Sequence, residues 1–163
     1  MTSTDHRAAP DDAALLRQAV RLALQNAETG QPPFGALVVR DGEVLATGVN
    51  TTALDNDPTA HAEVAAVRAA CRKLASPGLL GATVVSSCEP CAMCHATCAV
   101  AGIARIVYAA PKEFVPGIER TPPLLAEMQA ALGRLGTDAL HYIPTAGAEE
   151  PFTRFVEISE SRR

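Results

Sequence analysis

Two short stretches of this chain combine residue types that bind a soft metal ion with one that moves protons: His61-Ala62-Glu63 and Glu89-Pro90-Cys91-Ala92-Met93-Cys94. Cys91 and Cys94 stand at i and i+3, so on a helix their sulfurs leave one face. Pro90 suits the first helical position, which places both thiols at a helix N-terminus, where unpaired backbone N–H groups and the positive end of the dipole favour thiolate. His61 follows a polar loop and falls in the first turn of another helical run. One imidazole and two thiolates make three protein ligands, the number used by a catalytic zinc site whose fourth position stays open to water. Glu63 is too close in sequence to His61 for a fourth ligand and within reach of that open position. Its carboxylate can take a proton from water and pass it to a leaving amine, serving as base and then as acid.

Other readings of these residues stand beside that one. Cys88, Cys91, Cys94, Cys98 and His95 could build a closed structural zinc site, but such a site gives Glu63 no role. Cys88 repeats the three-residue spacing to Cys91, yet it precedes Pro90 and falls outside the helix. Cys98, one turn beyond Cys94, reads as a small buried hydrophobe, and His95 as a neighbour on the helix. The chain has five cysteines, an odd number, and four of them lie between Cys88 and Cys98, which is poor spacing for a disulfide framework. That usage suits a reducing, cytoplasmic setting.

The elements that must position these residues follow from periodicity and punctuation. Leu15, Ala19, Leu22 and Ala23 mark a first amphipathic helix from Asp12 to about Ala27, stopped by Gly30. Phe34–Val39 and Val44–Val49 read as two antiparallel strands joined by the turn dipeptide Asp41-Gly42. A polar loop runs from Asn50 to Pro58. Thr59 is the expected N-cap of a second helix that carries Val64, Val67, Cys71 and Leu74 on one face before Pro77-Gly78. Ala82–Ser86 reads as a buried strand, Pro90 to about Ala101 as a helix and Ile103–Ala109 as a strand, and short links between them imply a parallel pair. Pro111–Pro123 reads as loop, Leu124 to about Leu135 as helix, Leu140–Ile143 as a fifth strand and Pro151–Ser159 as a last helix. The fold class is α/β: a three-layer α/β/α sandwich around a mixed sheet of about five strands. Residues 1–10 read as a mobile tail and 11–163 as one domain.

Composition bounds the function. With 163 residues, 48% hydrophobic and 20% charged, the chain has the size and make-up of one globular domain. Its 14 basic and 18 acidic residues give a net charge of −4, and the basic residues are scattered, which argues against a nucleic-acid binder. No apolar run approaches the ~20 residues of a membrane helix, and the first residues lack the order of a signal peptide.

The pattern H-x-E followed by P-C-x-x-C resembles that of the cytidine-deaminase-like zinc deaminases, most closely the guanine deaminase branch. The resemblance is carried by Pro33-Phe34-Gly35-Ala36, by Asn56 to Val64, by Ser87 to Cys94 and by Tyr108-Ala109-Ala110. It implies a cytidine deaminase-like fold, Zn2+ held by His61, Cys91 and Cys94, and Glu63 as proton shuttle. It also implies that Asn50 and the backbone N–H of Ala62 bond the base and that Phe34 stacks near its ring. Taken alone, Asn50 reads first as a strand-end turn residue and Phe34 as core. Pro151-Phe152-Thr153-Arg154-Phe155 is similar to a stretch that closes the site in that branch, with Phe155 as its second aromatic.

The chain departs from the branch in two features. Its second, acidic proton shuttle has no aligned counterpart, leaving Glu113 or Glu119 to substitute, and Ala99 and Val100 stand where it carries bulky aromatics. The expected activity is hydrolytic removal of an amine from a small guanine-like or cytosine-like ring, with release of ammonia, by a homodimer whose sites lie near the subunit interface. The alternative is a tRNA adenosine deaminase, which shares the core motifs but needs phosphate contacts. A third reading is a non-catalytic zinc-stabilised module.

Overall fold

The structure is a computed structural model that describes residues 12–117, 121–135 and 139–162; the expected tail at 1–10 and the Glu119 alternative lie outside these. Five strands form one mixed sheet in the order β2-β1-β3-β4-β5. They are β1 (Gly35–Arg40), β2 (Glu43–Val49), β3 (Thr83–Ser86), β4 (Arg105–Tyr108) and β5 (Leu140–Tyr142). The hairpin pair β1/β2 is antiparallel, as is β1/β3, whereas β3/β4 and β4/β5 are parallel. Asp41 and Gly42 both take positive φ, 54° and 78°, which is what a two-residue turn matched to strand twist requires.

Helices cover both faces, which is why the inner strands read as nearly unbroken apolar runs. Successive side chains of β1 go to opposite faces. Leu37 and Val39 join Leu16, Ala19 and Val20 of α1 (Asp12–Glu28) and Phe152 of α6 (Glu150–Ser161). Ala36 and Val38 join Ala62, Ala66 and Val67 of α3 (Ala62–Leu74) and Cys98 of α4 (Ala92–Val100). The three-layer expectation therefore holds, with α5 (Pro123–Leu135) following β4.

A close backbone approach sets the place of α3. A Cβ added at Gly48 of β2 would run into the carbonyl of Ala62 and the amide of Ala66, so the helix lies backbone to backbone on the strand. Only small residues on both sides permit this.

Three local expectations are corrected. The second helical run begins at Ala62 with His61 as N-cap, because Thr59 is occupied elsewhere: its N–H and hydroxyl both donate to Asp57 Oδ1, at 2.8 and 2.7 Å, in an Asx turn. The next helix begins at Ala92 with Cys91 as N-cap, which moves Pro90 out of the helix. Within the polar loop, Thr52–Asp55 forms a single helical turn, α2, because Asn50 Oδ1 accepts the Thr52 N–H at 3.0 Å.

Gly48→Ala should lower Tm by at least about 2 °C, since overpacking costs ~1–3 kcal/mol and each kcal/mol shifts a chain of this size by ~2–4 °C. Gly78→Ala, where the nearest atom to the new Cβ is 3.9 Å away, is the control and should melt like wild type. Equal melting of the two variants would contradict the close-contact account.

Candidate active site

His61 and Cys91 are both N-cap residues with extended backbone, and neither side chain caps its own helix. They turn toward each other instead. Cys91 Sγ lies 3.7 Å from His61 Nδ1, Cys94 Sγ lies 3.6 Å from the same nitrogen, and the two sulfurs are 3.6 Å apart. A tetrahedral zinc with bonds of ~2.0–2.3 Å spaces an N/S pair by about 3.6 Å and an S/S pair by about 3.8 Å, so the donor set fits that ion. Among the described residues this is the one group of three or more His, Cys, Asp or Glu side chains close enough to hold a metal. Cys88, His95 and Cys98 are not in it. Cys98 is core, with a thiol that burial pushes up to about 12.

The charges in the triad depend on one another. Contact with Cys94 and then His61 draws the Cys91 thiol below its ordinary value against the cost of burial. Cys94 moves up, first through its contact with Cys91, then through burial and the charge of Glu63. The imidazole of His61 is raised, chiefly by Cys91.

Glu63 is buried in the first turn of α3, directly beside the triad. Its Oε1 accepts the hydroxyl of Ser86 at 2.9 Å, and its Oε2 lies 3.3 Å from Cys94 Sγ. Burial raises the carboxyl pKa, opposed by a hydrogen bond from its own backbone N–H and by Ser86, Cys94 and His61. Ser86 sits at the carboxyl end of β3, the end of a parallel strand where open α/β sheets bind their ligands. Cys88 is buried nearby, and its N–H donates to Ser86 Oγ at 3.4 Å.

A cavity of about 500 Å3 opens on His61, Glu63 and Cys91 and is also lined by Phe34 and Asn50. Asn50 is locked in place. Its N–H donates to the Phe34 carbonyl at 3.2 Å, its own carbonyl accepts Asn26 Nδ2 at 2.8 Å, and its Oδ1 takes both the N–H and the hydroxyl of Thr52. Its Nδ2 is left without a bond to the described residues. Ala62 is fully buried as the first residue of α3, a position whose N–H has no intrahelical acceptor.

The two remaining sequence candidates stand apart from this cavity. Phe155 is half-buried on α6 and does not line it; the C-terminal aromatic that reaches Phe34 is Phe152, edge to face with ring centroids 5.8 Å apart. Glu113 is exposed on a single 3-10 turn at Lys112–Phe114 and does not line the cavity either. Its neighbour Lys112 does, with Nζ 2.7 Å from Glu89 Oε1.

Three lining or supporting groups escape the sequence reading. Ser86 is visible only as the last residue of a strand, Lys112 as one residue of a loop, and Gln129 as one residue of α5. Helix α5 covers part of the cavity with Leu125, Ala126 and Ala130, and Gln129 lies among them with its Oε1 buried and without a partner among the described residues. Such an atom costs ~1–3 kcal/mol when nothing bonds it.

Comparison with known proteins agrees with the geometry. Residues 9–110 match the family model for the cytidine and deoxycytidylate deaminase zinc-binding region. The chain is 44% identical over 107 residues to a guanine deaminase of Bacillus subtilis (strain 168), covering 65% of this chain and 64% of that protein. It is 45% identical over 83 residues to a tRNA-specific adenosine deaminase of Agrobacterium fabrum (strain C58), covering 51% and 55%. Both matches therefore span less than two thirds of the relative's own length. A crystal structure of guanine deaminase from Bacillus subtilis superposes with a TM-score of 0.59 at 31% identity, covering 88% of this chain and 92% of that one. With a soft three-ligand cluster at two helix N-termini, a buried glutamate against it and the family model spanning both motifs, the chain belongs to the cytidine and deoxycytidylate deaminase-like family of zinc-binding deaminases.

Proposed function

We propose that this protein is a hydrolytic deaminase of a small amine-bearing nucleobase or related heterocycle, with zinc held by His61, Cys91 and Cys94. The observation that carries the reading is the Glu63 carboxyl, buried against the triad and facing a cavity of about 500 Å3, within the ~300–1,000 Å3 usual for small-molecule sites. Zinc, when bound, supplies the Lewis acidity that brings the pKa of a water to ~7. Glu63 takes one proton from the attacking water and passes it to the ring nitrogen, then takes the second from the added hydroxyl and passes it to the departing amine, so the C–N bond breaks, ammonia leaves and a ring carbonyl remains. Ser86 holds Oε1 throughout, which keeps the carboxyl in place between the two transfers. Asn50 Nδ2 and the Ala62 N–H bond the base, and the Phe34 ring, buttressed by Phe152, stacks on it.

The second reading, tRNA adenosine deamination, draws support from the Agrobacterium relative. A polynucleotide needs free cations for its phosphates. Lys112 at the cavity is instead tied to Glu89, and Leu125, Ala126 and Ala130 present it with an apolar cover, which favours a free ring. No helix among the described residues is long and apolar enough to cross a membrane. A cytoplasmic homodimer completes the proposal, supported by Leu80 and Val100, which are 76% and 90% exposed.

Purified protein should carry one zinc per chain, retained in Cys88→Ser and lost in Cys94→Ser by elemental analysis; the reverse pattern would overturn the ligand choice. In an ammonia-release screen, free bases should react faster than nucleosides or anticodon stem-loops. Glu63→Ala should keep metal and fold while losing more than the ~10²–10⁴-fold typical of one acid–base role. A loss of only a few-fold, or a stem-loop that outpaces every base, would defeat the corresponding part of the reading.

A further inference from the structure

Phe34 and Asn50, which grip the ring in the reading above, lie on different segments, Phe34 just before β1 and Asn50 just after β2. One side chain joins those segments from a third element. Asn26 is buried near the end of α1, and its Nδ2 donates to the carbonyl of Pro32 and to the carbonyl of Asn50, both at 2.8 Å. Carbonyls only accept, so the amide must present its NH2 here, and its two hydrogens have one taker each. Asparagine is a poor helix former and is seldom buried, so its place in α1 is explained by these two bonds and not by the helix.

The helix that carries Asn26 is firmly seated. A Cβ added at Gly35 would fall 2.6 Å from the Ala19 carbonyl oxygen and 2.7 Å from the Ala23 amide nitrogen, so α1 lies backbone to backbone on the start of β1. Ala19, Ala23 and Asn26 follow at i, i+4 and i+7 and share that face. The Asn26 carbonyl accepts the N–H groups of Thr29 and Gln31 and the Thr29 hydroxyl, which secures the helix end. Beyond the amide the chain is equally tight. The Pro32 carbonyl also accepts the Phe34 N–H at 2.9 Å, and the Phe34 carbonyl accepts the Asn50 N–H at 3.2 Å.

We propose that Asn26 is a positioning residue: by holding the Pro32 and Asn50 carbonyls with one NH2 group, it sets the spacing between the Phe34 ring and the Asn50 amide, and through it the grip on the substrate ring. This rests on the deaminase reading above. A flat ring stacked on Phe34 presents its edge at one height, and Asn50 Nδ2 bonds that edge only from a matching place. Such contacts are made to the bound ring before chemistry as well as during it, so their loss falls on KM more than on kcat. The groups that carry the chemistry, His61, Glu63, Cys91 and Cys94, stand at the starts of α3 and α4 and are not held by Asn26. The spacing matters only while both of its members are present.

The test is a pair of double-mutant cycles on the holoenzyme, run with whichever of guanine, cytosine or adenine wild type deaminates fastest. Asn26→Ala empties the site of the amide and Asn26→Leu refills its volume; neither has a donor. Both should keep the zinc content of wild type and raise KM about tenfold, the scale of one lost hydrogen bond. Their kcat should stay within about threefold of wild type. In an Asn50→Ala or a Phe34→Ala background the same substitutions should raise KM by less than about threefold, because the spacing they disturb no longer has both members. Calorimetric Kd values for the deaminated product should follow KM in every variant. A tenfold rise that persists in both backgrounds would mean general loosening, and an effect in Asn26→Ala absent from Asn26→Leu would mean lost packing. Either of these, or a wild-type KM in both variants, overturns the role of Asn26 and leaves the deaminase reading standing. No turnover of any of the three bases by wild type overturns both.

Discussion

The site depends on how closely α3 lies on β2. Because Gly48 has no side chain and faces Ala62 and Ala66, the helix rests on the strand backbone, and its first residues are set at a fixed height above the sheet edge. His61 is the N-cap of that helix and Glu63 falls in its first turn. Cys91 and Cys94 come from α4, which enters from β3, the strand hydrogen-bonded to β1 on the side away from β2. Three donor atoms from segments thirty residues apart thus meet within 3.7 Å, while neither helix spends a side chain on capping itself.

That arrangement concentrates costs that other groups offset. A carboxyl buried as Glu63 is would ordinarily be expensive, and its hydrogen bond to Ser86 and contact with Cys94 satisfy both oxygens. The Cys91 thiol is drawn toward thiolate by Cys94 and His61, in keeping with a metal ligand at a helix N-terminus. On the far side of the sheet, Asp12 is buried and bonded by both arms of the Arg105 guanidinium, at 3.2 and 2.6 Å, so α1 is pinned to the start of β4.

Much of this is legible in the sequence because it is local. The Cys-x-x-Cys and His-x-Glu spacings are read on single helical turns, the Asp41-Gly42 turn announces the hairpin, and the apolar runs of β1 and β3 announce a sheet covered on both faces. The helix starts are misread by two residues because Thr59 and Pro90 have the usual chemistry of helix entry, whereas His61 and Cys91 take the cap positions with side chains committed elsewhere. The role of Ser86 has no sequence signal, being defined by the carboxyl that α3 brings opposite it. The aromatic contact with Phe34 comes from Phe152 because the register of α6 turns that residue, and not Phe155, into the buried face.

The central claim is a three-ligand site that leaves one coordination position for chemistry, and the most direct measurement of it is X-ray absorption at the zinc edge of the purified protein. Two sulfurs at ~2.3 Å and two light atoms at ~2.0–2.1 Å are expected, one of the latter from His61. Three or four sulfurs in the first shell would mean that Cys88 or Cys98 closes the site, and the account would be contradicted.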